Sequence, residues 1–157
     1  MRIIGIDPGY DRCGVAVLEG TRDKPILIDS VCIETNPKDI YLTRLGRVCD
    51  EIGGIIGRHR PEQMAIEEVF FSKNQKTALQ VATIRGAILH VAHTNHLAVS
   101  EYSPQAVKIA VTGYGKADKQ QIFAMLPLLL AIPPDKRRDD EYDAIAIGIT
   151  HLAHIGR

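Results

Sequence analysis

The sequence has no tryptophan, and its three phenylalanines and five tyrosines bring the aromatic share to only 5%. With so few rings, any one of them is as much a candidate for the core as for a surface contact. Cysteine is scarce too: Cys13, Cys32 and Cys49 are widely spaced, odd in number and contain no C-x-x-C pair. That pattern argues against a disulfide framework and fits small apolar residues in a reducing compartment. No apolar run approaches the roughly 20 residues needed to cross a bilayer, and the longest, near Leu126, is interrupted by Pro127. The first residues enter a strand pattern at once, without a signal or transit segment, so the expected location is cytoplasmic. Neither sign of charge prevails, with 19 basic against 19 acidic residues. Zero net charge by itself gives no support for nucleic-acid binding. Internal repeats, linkers and low-complexity tracts are also missing. What remains is an ordinary globular composition, 45% hydrophobic and 24% charged, in one expected domain spanning 1–157.

The first nine residues, Met1 to Gly9, organise the rest. Ile3, Ile4 and Ile6 form a short β-branched run suited to a strand buried on both faces, and Asp7 stands at its end. Pro8 lacks an amide hydrogen and Gly9 tolerates positive φ, so the chain turns directly after Asp7. The carboxylate either caps that turn or meets a cation, because burying it unpaired is costly.

Further strands are predicted over 11–18 and from Ile26 to Thr35, the latter bounded by Pro25 and by Asn36-Pro37. From Ile40 to His59 the period becomes helical, with Leu42, Leu45, Val48, Ile52, Ile55 and Ile56 forming the apolar stripe. Gly46, Gly53, Gly54 and Gly57 each weaken that helix by about 1 kcal/mol, which predicts compensation by close packing on a neighbour. Met64-Ala65-Ile66 makes a short strand ending in Glu67-Glu68. Residues 76–95 are apolar nearly all round, predicting a helix buried on two sides, one of them available to a second subunit. Leu97 to Glu101 reads as a strand, and Ser103-Pro104 as the cap and first turn of a helix that stops at Gly113. Another helix is predicted from Ala117 to Leu130, kinked or ended early by Pro127. After the breaker Ile132-Pro133-Pro134-Asp135, a final helix runs from Asp140 to His154. Three strands, a helix, then alternating strand and helix describe an α/β domain with a mixed sheet of about five strands.

Glu67 ends its strand as Asp7 ends the first. If the two strands lie parallel and adjacent, both carboxylates emerge at the carboxyl edge of the sheet, where ligands bind in open α/β folds. Asp140 and Asp143, three apart, share one face of the last helix, although acidic residues in a first turn are also favoured by the helix dipole alone. Four such groups converging on one cleft would repel one another strongly without a cation. Hard oxygen ligands select magnesium or manganese. Two such ions about 4 Å apart can activate a water and hold a scissile phosphate, as phosphodiester cleavage requires.

The run Gly5-Ile6-Asp7-Pro8-Gly9 with Gly14, then Ala65-Ile66-Glu67 with Phe70 and Lys73-Asn74, then Asp140-x-x-Asp143-Ala144 on to Ile149-Thr150-His151, resembles the RuvC-type Holliday junction resolvases. The resemblance covers essentially the whole chain. It implies a ribonuclease H-like fold, a mixed five-stranded sheet flanked by helices. It also implies a homodimer acting as a magnesium-dependent endonuclease on four-way DNA junctions, with manganese able to substitute, two ions per site and paired symmetric nicks. A branch-migration helicase is the further partner implied. Carried over, Asp7, Glu67, Asp140 and Asp143 match the catalytic, metal-binding carboxylates. Phe70 matches an aromatic that stacks on a base, and Lys73, Lys108 and Lys119 match DNA-contacting positions. The sequence departs in two places: Phe71 adjoins Phe70, and Asp139, Asp140 and Glu141 are consecutive, which leaves open which ring and which acid serve. His151 fits a satisfied interior or surface histidine. The alternatives are a related nuclease acting on structured RNA, such as ribosomal RNA precursors, an actin-like ATP-binding domain, which wants a second lobe, and an inactive junction-binding module.

Overall fold

The computed structural model describes residues 1–68, 75–130, 132 and 137–156, the side chains of 75–77 excepted. Phe70, Phe71 and Lys73, and the Pro133-Pro134 breaker, lie outside the described residues. Five strands, β1 (Arg2–Asp7), β2 (Arg12–Thr21), β3 (Lys24–Glu34), β4 (Gln63–Glu67) and β5 (Ala98–Tyr102), form one sheet in the order β3-β2-β1-β4-β5. The pairs β1/β2 and β2/β3 are antiparallel, whereas β1/β4 and β4/β5 are parallel. The helices are α1 (Tyr41–His59), α2 (Gln75–Thr94), α3 (Pro104–Thr112), α4 (Lys119–Leu129) and α5 (Asp139–Ile155). The expected mixed five-stranded sheet is present.

Central position explains the composition of β1. Ile3, on one face, joins Ala16, Leu18 and Ala65 in a core shared with α3, α4 and α5. Ile4 and Ile6, on the other, join Val15, Val17, Met64 and Ile66 against α1 and α2. Side chains that alternate between two covered faces must all be apolar, hence the unbroken isoleucine run.

Close approach of α5 to the sheet depends on glycine. A Cβ on Gly5 would lie 2.4 Å from the Ala144 carbonyl oxygen, and one on Gly14 only 1.9 Å from that of Asp140. No side chain fits at either point, so the first turns of α5 rest directly on β1 and β2.

Three expectations need correction. Pro25 does not bound β3 but lies inside it, opposite Gly20; β3 is an edge strand, where a missing N–H is tolerated. Among the described residues the α1 glycines are not sites of close packing, since a Cβ at Gly46, Gly53, Gly54 or Gly57 meets none of them within 4 Å, and Leu42 is exposed. Among the described residues of this chain, α2 buries Ala78, Ile84, Ile88 and Ala92 on one side, while Leu79 on the other is 70% exposed, which leaves open the second-subunit side expected from the sequence. Of the cysteines, Cys13 is buried but Cys32 and Cys49 are only partly so, and all three are free. By contrast Ser103 caps α3 by accepting from the Ala106 amide, Gly113 closes it at φ 75°, and α4 ends two residues after Pro127.

Candidate active site

Ile6 pairs with Ile66 across the parallel β1/β4 ladder, so Asp7 and Glu67 leave the sheet side by side, on the face covered by α5. Asp143, on the second turn of α5, comes down to meet them. Lys108 of α3 and Lys119 of α4 complete the lining of an open cleft of about 240 Å³. A larger cavity of about 420 Å³ between α3, α5 and the β2/β3 hairpin is lined mostly by apolar side chains with Arg22 and His154, and no carboxylate.

The electrostatics are those of crowded, half-dry acids. Burial, followed by the charges of Glu67, Asp143 and Asp140, pushes the Asp7 carboxyl up to about 7. Burial and Asp143 push Glu67 up to about 7 as well. Asp143 is also raised by burial, against the opposing pull of Lys119. The Lys119 Nζ donates to Asp143 Oδ2 at 2.9 Å. Burial works against that ammonium, yet the hydrogen bond and charge of Asp143 raise its pKa overall.

Asp140 stands slightly apart. Its carboxylate lies 3.3 Å from Arg12 Nε and accepts from the Cys32 thiol at 3.8 Å, and it does not line the cleft, although its charge still reaches Asp7. Its neighbours have other tasks. Glu141 accepts from the Arg138 amide at 3.1 Å and from the Ser30 hydroxyl at 2.7 Å, capping the helix and tying it to β3. Asp139 is 68% exposed at its side chain and faces Lys119 at 3.6 Å. Three of the four expected carboxylates thus share the cleft and the fourth flanks it, with Lys108 and Lys119 in the lining and Phe70 and Lys73 outside the described residues.

Among the described residues, no three His, Cys, Asp or Glu side chains are already drawn together as a ligand shell. The donor chemistry nevertheless fits a hard divalent cation: carboxylate oxygens on rigid element ends, whose charges raise one another's pKa. His151 is not part of this group. It is fully buried, paired with the Tyr102 hydroxyl at Nδ1 (2.9 Å) and with Gln63 Oε1 at Nε2 (2.7 Å), the satisfied interior histidine that was one of its two expected readings. Sequence reasoning missed Arg12, whose only signal is its place one residue beyond the turn that follows Asp7.

The family profile described as Crossover junction endodeoxyribonuclease RuvC matches residues 3–151. A relative of that name from Desulforamulus reducens is 44% identical over 153 residues, covering 96% of this chain and 93% of the relative. Another, from Fusobacterium nucleatum, is 41% identical over 156 residues, covering 99% of this chain and 82% of the relative. A solved structure, T. thermophilus RuvC in complex with Holliday junction substrate, superposes with a TM-score of 0.93 at 31% identity, covering 99% of this chain and 95% of that one. The fold is ribonuclease H-like, and the chain belongs to the crossover junction endodeoxyribonuclease RuvC family.

Proposed function

We propose that this chain is a structure-selective endonuclease of one domain, residues 1–157, that resolves four-way (Holliday) DNA junctions in recombination and repair by paired symmetric nicks. The observation that carries the reading is the meeting of Asp7, Glu67 and Asp143 with Lys108 and Lys119 in one cleft of a RuvC-family fold. Asp7, Glu67 and Asp143 would hold the metal, with Asp140 joining from the flank. Magnesium is the proposed cofactor, manganese its substitute, and two ions per site the proposed count. When bound, they supply a nucleophilic water and neutralise charge on the scissile phosphate.

The protein's own part is positional and electrostatic. Strand ends hold Asp7 and Glu67 rigidly, so little reorganisation is needed when charge develops. Lys119, already held beside Asp143, presents a cation at the mouth of the cleft, and Lys108 faces the same space. Both would contact phosphate near the scissile bond, a role supported by their place in the cleft lining. Phe70 and Lys73 are retained as DNA contacts on the strength of the family motif.

Each chain carries one such cleft among its described residues, so two symmetric nicks call for two copies, and a homodimer is proposed. A branch-migration helicase as partner rests on the resemblance, and a cytoplasmic location is proposed as the one that suits a DNA-acting enzyme of this family. No helix among the described residues is long and apolar enough to cross a membrane. The RNA-processing alternative is not favoured, because the matched relatives are named as junction endodeoxyribonucleases. The decisive test offers a synthetic junction unable to branch-migrate, a linear duplex and a structured RNA, each with magnesium, and sizes both cut strands. Symmetric nicks confined to the junction are expected. Equal cutting of duplex, or preferential cutting of RNA, would overturn the assignment.

A further inference from the structure

We propose that Arg44 is a positioning residue for Asp7, acting through the turn that follows it. That turn, Pro8 to Asp11, joins β1 to β2 and is tight: a Cβ on Gly9 would fall 2.1 Å from the Arg12 carbonyl oxygen. Asp7 is the last residue of β1, paired with Gly14 across the β1/β2 ladder and joined directly to this turn, so a shift of the turn would move the strand end that carries its carboxylate. Arg44 reaches the turn from α1. Its side chain is only 9% exposed, and it forms an ion pair with Asp11. Its Nε donates to Thr35 Oγ1 at 2.9 Å, its Nη2 to the Tyr10 carbonyl oxygen at 3.3 Å, and its guanidinium lies 4.8 Å from the centre of the Tyr10 ring. Thr35 reinforces the hold, since its hydroxyl donates to the same Tyr10 oxygen at 2.6 Å and its amide to the Asp11 carbonyl at 3.0 Å.

Packing alone does not call for this arrangement. With the Asp11 side chain 61% exposed, the ion pair itself adds little stability, and the next turns of α1 put Val48 and Ile52 into an aliphatic core. What a guanidinium adds is a rigid fork that binds several acceptors in fixed geometry. Buried as it is, Arg44 has little surface to offer a DNA phosphate. The hold extends further: the Tyr10 ring meets Tyr41 edge-on at 5.9 Å, and the Tyr41 hydroxyl donates to the Gln80 carbonyl at 2.7 Å, tying the turn to α2.

The inference rests on the proposed role of Asp7 as a metal ligand, and the test keeps the two apart. Manganese binding is measured by electron paramagnetic resonance on the DNA-free protein, alongside junction binding in EDTA. Arg44→Met should weaken manganese binding about tenfold, as loss of a group orienting a ligand does. Arg44→Lys should recover part of it, and the near-isosteric Thr35→Val should show a smaller loss. Junction binding in EDTA should stay unchanged in all three. Unchanged manganese binding in Arg44→Met and Thr35→Val, or parallel loss of both kinds of binding, overturns the inference, and Thr35→Val decides it alone where Arg44→Met does not fold. Asp7→Asn is the control: manganese binding equal to the unsubstituted protein there defeats the metal-ligand reading itself, whereas loss there with none in Arg44→Met defeats only the role of Arg44.

Discussion

Lys119 of α4 and Asp143 of α5 are joined by a 2.9 Å hydrogen bond at the mouth of the acidic cleft, so a cation and a proposed metal ligand are held in one fixed pair. The lysine opposes the upward shifts of Asp7, Glu67 and Asp143 alike. Replacing Lys119 with methionine should slow nicking by about 100-fold, the scale of losing one preorganised charge-stabilising donor. Junction binding in EDTA should change little. Single-turnover cleavage of a labelled junction measures the first, and a mobility-shift titration the second.

Asp7→Asn removes a central carboxylate from the cleft while keeping its size. Magnesium-dependent nicking should disappear and junction binding should remain. Any appreciable cutting by this variant at saturating magnesium would contradict the assignment of Asp7.

A pH signature follows from the raised carboxyls. Asp7 and Glu67 move from 3.8 and 4.5 to about 7, so the folded protein keeps protons that the unfolded chain releases above about pH 4. Where the folded state binds more protons, stability falls as pH rises. The contribution of these two groups is therefore most favourable below about pH 4 and is lost progressively up to and through pH 7. In the absence of metal, Asp7→Asn should melt higher than the unsubstituted protein at pH 8, with the gap closing by pH 4. Magnesium at pH 8 should raise the melting temperature of the unsubstituted protein by mass action and leave the variant nearly unmoved. Thermal melts at both pH values, with magnesium and with EDTA, check all three statements.

Glycines of two kinds should respond oppositely to alanine. At Gly14 the added Cβ meets the Asp140 carbonyl at 1.9 Å, and at Gly5 that of Ala144 at 2.4 Å. Forcing α5 off the sheet at these points should cost about 1 to 3 kcal/mol, and Gly14→Ala should also depress nicking through Asp140. Gly53 lies in α1, where an added Cβ would meet none of the described residues within 4 Å, so Gly53→Ala should add roughly 0.5 to 1 kcal/mol. Urea unfolding of the three variants compares them. Destabilisation by Gly53→Ala would mean that another surface covers that face of α1.

Much of the site was legible from residue order alone. Asp7 and Glu67 could be paired because a strand ended by Pro-Gly and a second short strand ending in an acid obey simple rules of alternation and parallel pairing. The Asp140 to Asp143 spacing placed both on one helix, but not the turn of the first towards Arg12 and Cys32, which depends on where β2 and β3 pass beneath. Contacts between elements distant in the chain were hidden for the same reason. Lys119 meeting Asp143, or Arg44 meeting Asp11, requires knowing how helices lie on the sheet. Arg44 was further disguised, because one cation on an amphipathic helix reads as a surface residue. The α1 glycines misled in the opposite sense: composition tells that a helix is weak, not whether a neighbour is near. Pro25 misled because its place in a strand is permitted only at an edge, and edges are a property of the whole sheet.

The helix bearing Asp140 and Asp143 follows every strand in the chain, and it seats on two glycines contributed by β1 and β2. A polypeptide emerging from the ribosome therefore has all five described strands synthesised before Asp140 and Asp143, half of the proposed acid set. The face formed by Ile3, Ala16 and Leu18 gains its cover, and the acidic cleft its Asp143, only from that last helix.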